Sequence, residues 1–136
     1  MSKILNLYDT GKDNFSCECI SFSNDDNFVV FSSTDNLITV LELQKYSIRA
    51  KISLKDDNIT KMISSNIHKH LIYMGTSNGR FLVYDSRSTS DEMVLTENLH
   101  CTGIMEFSLS EKEDYVFTSS LDRTINMLKL DSLTIN

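Results

Sequence analysis

Apolar residues in this chain fall in short runs broken by polar and charged clusters, and nowhere with the spacing of an amphipathic helix. The clearest run, Tyr115-Val116-Phe117-Thr118, follows the charged cluster Glu111-Lys112-Glu113-Asp114, and its β-branched and aromatic content predicts a strand. Leu121-Asp122-Arg123 interrupts the pattern before Thr124, Ile125, Met127, Leu128 and Leu130 resume it. An Asp suits a tight turn there, because its side chain accepts from nearby backbone N–H groups. Strand, turn and strand make a hairpin. Over 47–54, Ile48, Ala50, Ile52 and Leu54 alternate with Arg49, Lys51 and Ser53, the period of a strand with one face in water.

The same reading predicts a leading strand at 4–8, then four strands at 17–23, 28–33, 37–43 and 47–54. Four more follow at 59–64, 70–75, 80–85 and 92–96, and three at 103–109, 115–120 and 124–130, with 131–136 as a stub. Twelve strands and no helix give an all-β chain. The pattern is also periodic: Ser33 to Leu43, Thr76 to Asp85 and Ser120 to Lys129 align without a gap, and their turn residues Asp35, Asn78 and Asp122 are spaced by 43 and 44 residues.

In period and strand count these units resemble the WD-repeat family, whose four-stranded blades build a β-propeller. The family's Trp-Asp dipeptide falls on Leu41-Glu42, Tyr84-Asp85 and Leu128-Lys129, of which Tyr84-Asp85 is the nearest match. Its upstream strand is matched by Cys17, Ile20, Phe22 and Ser23, by Ile104, Phe107, Leu109 and Ser110, and more weakly by Ile59, Met62, Ser64 and Ser65. The family's loop histidine occurs once, as His100, and the resemblance implies that it bonds Ser120 and Asp122 in a structural network. Leu128 cannot supply the network's Trp member, and Asp13 and Lys55 hold the histidine's place in the other units, so a full network is expected nowhere.

The resemblance implies a partial propeller of about three four-stranded antiparallel blades in a single domain, 1–136. It divides into a leading outer strand at 1–12, blades at 13–54 and 55–97, and an incomplete blade at 98–136. Three blades cannot close a ring. Part of a larger propeller is the first reading of that count, and a ring built from several copies the second.

Composition narrows the function. A length of 136 residues with 40% apolar and 24% charged residues can bury a core. A net charge of −6 without a basic cluster argues against nucleic acid or an anionic membrane as partner and favours a basic one. Three cysteines, two of them one residue apart, form no disulfide framework, which points to free thiols and an intracellular protein.

Candidate chemistry is thin. Cys17, Cys19, His68, His70 and His100 lack zinc-site spacing. His100, Ser120 and Asp122 are absorbed by the structural network rather than forming a nucleophilic triad. The 76–80 turn opens no helix, so it is no phosphate loop. No enzyme, metal or cofactor is expected.

The remaining surface is the rim of loops that, in the family, lead into the first strand of each blade and join the second to the third. By register it carries Asp13, Phe15, Ser16 and Thr34, then Asp57, Asn58 and Ser77, then Thr102 and Leu121. Phe15 and Leu121 are apolar anchors ringed by polar groups. Asp13, Asp56 and Asp57 tilt the rim toward a basic peptide. The expected function is a noncatalytic scaffold subunit of a multiprotein complex. The alternative is a homo-oligomeric ring that binds a small ligand or peptide between blades. The segments 17–26 and 120–125 also loosely resemble the WD-repeat subunit of COMPASS-type histone methyltransferases and RNA 3′-end-processing assemblies, a nuclear role.

Overall fold

A computed structural model describes residues 4–11, 15–88 and 90–130. The strands are β1 (Cys17–Phe22), β2 (Phe28–Ser33), β3 (Leu37–Glu42), β4 (Ser47–Ser53), β5 (Ile59–Ser64), β6 (Leu71–Thr76), β7 (Arg80–Asp85), β8 (Leu95–Asn98), β9 (Ile104–Leu109), β10 (Tyr115–Ser120) and β11 (Ile125–Lys129). They form three antiparallel sheets, ordered β1-β2-β3-β4, β5-β6-β7-β8 and β9-β10-β11. We call these sheets blades 1, 2 and 3. Each inner strand touches the next, β1 against β5 and β5 against β9, so the blades fan around a common side.

Eleven of the twelve expected strands are present. The leading strand at 4–8 is not one: these residues form no strand and pair with no described strand. An outer strand exists only through its ladder with the edge beside it, and nothing in a local apolar pattern supplies that edge. Tyr8 instead lies on blade 1, its ring centroid 5.0 Å from that of Phe31 and the Lys51 ammonium 5.2 Å from its face. The strand expected at 92–96 begins later, at Leu95. Ser88 and Ser90 explain the delay, because their hydroxyls accept from the backbone N–H groups of Ser90 and Glu92 and hold that stretch in bends.

Two apolar layers join the blades. Between blades 1 and 2, Phe28, Val30, Ile38, Val40 and Ile52 pack on Ile59, Met62, Ile72, Met74, Leu82 and Tyr84. Between blades 2 and 3, the other faces of β6 and β7 present Leu71, Tyr73, Phe81 and Val83 to Ile104, Phe107, Val116 and Leu130. Strand alternation serves both layers, since successive residues of β6 and β7 point to opposite neighbours. Blade 2 is therefore buried on both faces, which is why its strands read as continuous apolar runs.

Polar contacts fix the blades against each other. The Glu113 carboxylate, 8% exposed, reaches from blade 3 to the β5–β6 turn, where it accepts from Ser65 Oγ at 2.5 Å, Asn66 N at 3.0 Å and Ile67 N at 3.2 Å. Asn24 Nδ2 of blade 1 donates to Ser65 O at 2.5 Å on the same turn. Lys61 pairs with Glu106, and Thr60 Oγ1 donates to Ile104 O at 2.6 Å.

Candidate protein-binding rim

Each hairpin between the second and third strands of a blade turns through one left-handed residue at the same place: Asn36 (φ 67°), Gly79 (φ 84°) and Arg123 (φ 70°). This conformation lets the chain reverse in a few residues and leaves the loop before the first strand folded over the turn. The two segments are stitched together blade by blade. In blade 1, Ser16 N donates to Thr34 Oγ1 and Thr34 N to Ser16 O, both at 2.9 Å. In blade 2, Ser77 N donates to Asn58 O at 2.8 Å and Asn58 N to Ser77 Oγ at 3.1 Å. In blade 3 the Thr102 and Ser120 hydroxyls meet at 2.8 Å.

Beneath these stitches lie two carboxylate-centred networks, one in blade 3 and one in blade 2. In blade 3 the loop supplies the cation-capable group and the turn the carboxylate: His100 Nδ1 lies 3.0 Å from Asp122 Oδ2 and 2.9 Å from Thr124 Oγ1. His100 Nε2 is bonded to Thr118 Oγ1 at 2.7 Å. Ser120, expected as a partner of His100, bonds Thr102 and the backbone N–H of Asp122 instead, because the buried imidazole reaches deeper along β10 to Thr118. Asp122 also accepts from Thr124 Oγ1 at 2.6 Å, Cys101 N at 3.0 Å and Thr124 N at 3.0 Å. The Thr124 hydroxyl first, then these backbone donors and His100, holds its carboxyl down at about 2.

In blade 2 the loop supplies the carboxylate and the strand the cation. Asp57, 1% exposed, accepts from Arg80 Nε at 2.9 Å and Nη2 at 2.8 Å, from Ser77 Oγ at 2.9 Å, and from the backbone N–H groups of Asn58 and Asn78 at 2.9 and 3.0 Å. Blade 2 thus carries an ion-pair network of a different make from the family's, and Asp57, expected to tilt the rim toward a basic peptide, is instead a buried, paired carboxylate that offers no charge there. In blade 1, Ser33 Oγ donates to Asp35 Oδ1 at 2.5 Å, while Asp13 lies outside the described residues.

On this framework Leu121 stands 73% exposed and Phe15 39% exposed; Ser16, Ser77 and Thr102 are exposed as well, and Thr34 is half-buried. Asp56 and Arg123 are the exposed charges nearest the blade 2 and blade 3 turns, so the described rim is mixed in sign. Cys17, Cys19 and Cys101 are free thiols. Among the described residues no three His, Cys, Asp or Glu side chains converge as a metal site would require, and no helix is long and apolar enough to cross a membrane.

Three antiparallel sheets fanned at this spacing, two of four strands and one of three described strands, are matched by the family model described as UCP007778, beta-propeller domain, over residues 11–135. The chain belongs to this β-propeller family. Similar proteins include the DDB1- and CUL4-associated factor 11 homologs of Caenorhabditis briggsae, 26% identical over 82% of the chain, and of Caenorhabditis elegans, 25% identical over 88%. The propeller also resembles WD repeat-containing protein JIP5 of Vanderwaltozyma polyspora, at 31% identity over 67% of the chain. It is thus a propeller of the WD-repeat kind. It spans 21%, 22% and 17% of the lengths of these relatives. A chain in a crystal structure of the mitotic checkpoint complex superposes with a TM-score of 0.76, at 12% identity, over 94% of this propeller and 38% of that chain. None of these supports the likeness to a COMPASS-type subunit, which rests on two short segments.

Proposed function

We propose that this propeller is a noncatalytic, intracellular interaction subunit that holds other proteins on its loop rim, with Leu121 and Phe15 as apolar anchors and Ser16, Ser77 and Thr102 as polar members of the same rim. The observation that carries the reading is the exposure of Leu121 at 73% on a turn whose backbone is fixed by the His100 and Asp122 network. A large apolar side chain on a rigid turn loses little entropy on binding, which is what an interface anchor needs. The net charge of −6 supports protein rather than nucleic acid or an anionic membrane as partner. The names of the relatives and of the superposed structure, an associated factor and a checkpoint complex, agree with a part in assemblies.

The test is a photocrosslinking amino acid placed at Leu121 and, as control, at the exposed Thr96 of the outer strand β8 in cells expressing the chain. Position 121 is expected to give a discrete adduct with a different protein, which Phe15→Asp weakens, and position 96 none. Equal labelling at both positions, or adducts with nucleic acid, would overturn the reading.

A further inference from the structure

Asp57 and Glu113 are both buried carboxylates, yet only Asp57 has a cation beside it. Glu113 is held by one hydroxyl and two backbone N–H groups, all neutral, and among the described residues no Lys, Arg or His pairs with it. A buried carboxylate is ordinarily paired with a cation as well as hydrogen-bonded. Its two oxygens are also unequally used. Oε2 accepts from Ser65 Oγ and Ile67 N, while Oε1 accepts from Asn66 N alone and has room for another donor. Beside it, Tyr73 is fully buried, and its hydroxyl forms no hydrogen bond of normal geometry among the described residues. Burial first, then the Glu113 charge, pushes the Tyr73 pKa up to about 12, with the Ser65 hydroxyl opposing, so that the group stays a neutral donor.

Glu113 opens on a groove of about 400 Å³ between β5 and β9, the inner strands of two consecutive blades. Ile63, Phe107 and Leu109 give it apolar walls, and Ser108 and Glu111 are its exposed members. One wall already takes a cation, because the Lys61 ammonium lies 5.7 Å from the Phe107 ring centroid. That ammonium is engaged by Glu106, whereas no described residue bonds the Glu111 carboxylate. The groove ends at the β5–β6 and β9–β10 turns, on the side of the blades opposite the rim. The turns on that side, at 23–27, 43–46, 65–70, 86–94 and 110–114, hold seven carboxylates against four Lys and Arg, so the field around the groove is negative where that of the rim is mixed.

We propose that this groove seats an arginine of a basic protein segment, whose guanidinium bridges Glu113 Oε1 and the Glu111 carboxylate while the apolar residue next to it lies on Ile63 and Leu109. A planar guanidinium fits better than an ammonium, because its five donors reach two carboxylates and the Ser108 hydroxyl from one position. It supplies the counter-charge that the chain itself gives to Asp57 and withholds from Glu113. The surface is separate from the rim of Leu121 and Phe15, and it takes up the basic character that the net charge of −6 favours in a partner.

The test titrates the isotope-labelled 136-residue chain with N-acetyl-arginyl-leucine amide and follows its backbone amide signals by NMR. Shifts are expected to concentrate at Asn66, Ile67, Ser108 and Glu111 and to saturate with a dissociation constant of about 1 mM or tighter. N-acetyl-glutaminyl-leucine amide, similar in shape but uncharged, should leave these signals in place. Glu111→Gln keeps the Glu113 bonds and should weaken binding about fivefold or more. Asp91→Asn removes the same charge from another turn of that side and should leave the affinity unchanged. An absence of shifts at about 10 mM peptide, shifts centred on the rim or spread over all the acidic turns, an equal response to the glutaminyl peptide, or an equal loss in Asp91→Asn would each overturn the proposal.

Discussion

Arg80 closes on Asp57 through two nitrogens, Nε at 2.9 Å and Nη2 at 2.8 Å from the same carboxylate oxygen, and the carboxylate is sealed from water. The pair does in blade 2 what His100 and Asp122 do in blade 3, with the carboxylate on the loop instead of the turn. A buried carboxylate with five donors aimed at it is stable only while they remain. Asp57→Ala would strand the Arg80 guanidinium and the Ser77 hydroxyl and free two backbone N–H groups.

We expect Asp57→Ala to cost about 2 to 4 kcal/mol, discounted from the largest buried-pair values because Arg80 keeps some exposure. Urea denaturation of the two proteins measures it. A loss within experimental error of zero would mean that the pair contributes nothing and the turn is held by the backbone stitch alone.

Gly79 links the two networks. It has φ +84°, and its carbonyl accepts from the N–H groups of Leu99 at 3.0 Å and His100 at 3.2 Å. A Cβ at this place would overlap the backbone carbonyls of His100 and Thr102. Gly79→Ala must therefore push the loop that carries His100 off the turn, besides straining a left-handed residue. The expected result is a destabilisation on the order of 2 kcal/mol or more, seen as a drop in melting temperature larger than that from Ser77→Ala. A melting curve superimposable on wild type would show that the loop is free to move.

Much of this arrangement is legible in the sequence, and the failures are instructive. The hairpins around Asp35, Asn78 and Asp122 are found because apolar alternation and a polar turn coincide three times in register. The Asp57 network is missed because its carboxylate sits two residues nearer the following strand than His100 does. Lys55 (φ 45°) and Asp56 (φ 56°) are both left-handed, and that bend carries Asp57 into the place a counting argument gives to Lys55. The segment at 4–8 is missed for a different reason: its side chains suit a strand, but a ladder depends on an edge elsewhere, which no local pattern reports. Glu113, read as part of a charged turn, shows its role only when the neighbouring turn is beside it.

Asp122 gives the blade 3 network a pH signature. Its carboxyl titrates at about 2 in the folded chain against an ordinary 3.8. A folded value below the unfolded one means that the carboxylate is favoured by folding, so the contribution is fully present above about pH 4 and is lost as pH falls from there through about 2. Urea midpoints of the wild type and Asp122→Asn should differ at pH 5 and converge by pH 2. Asp25 and Asp85 are lowered as well, and their effect cancels in the difference between the two proteins. A gap that stays constant over this range would remove the charge from the explanation.

The three free thiols offer a probe of the blade 1 and blade 2 interface. Cys19 packs against that layer, its Sγ 3.7 Å from Ile59 O, and burial first, then the Glu18 carboxylate, pushes its thiol up, with a bond from Ser32 opposing. Cys101 lies exposed on the rim loop. Because the thiolate is the reacting species, Cys19 should alkylate several-fold more slowly than Cys101 with iodoacetamide at pH 8, as followed by mass spectrometry of the peptides. In urea the two rates should become equal, since only the fold separates them. Glu113→Ala, which loosens the junction between blades 2 and 3, should leave the Cys19 rate unchanged if that junction and the one between blades 1 and 2 open independently. A native Cys19 that keeps pace with Cys101 would mean that β1 leaves its layer on the timescale of the reaction.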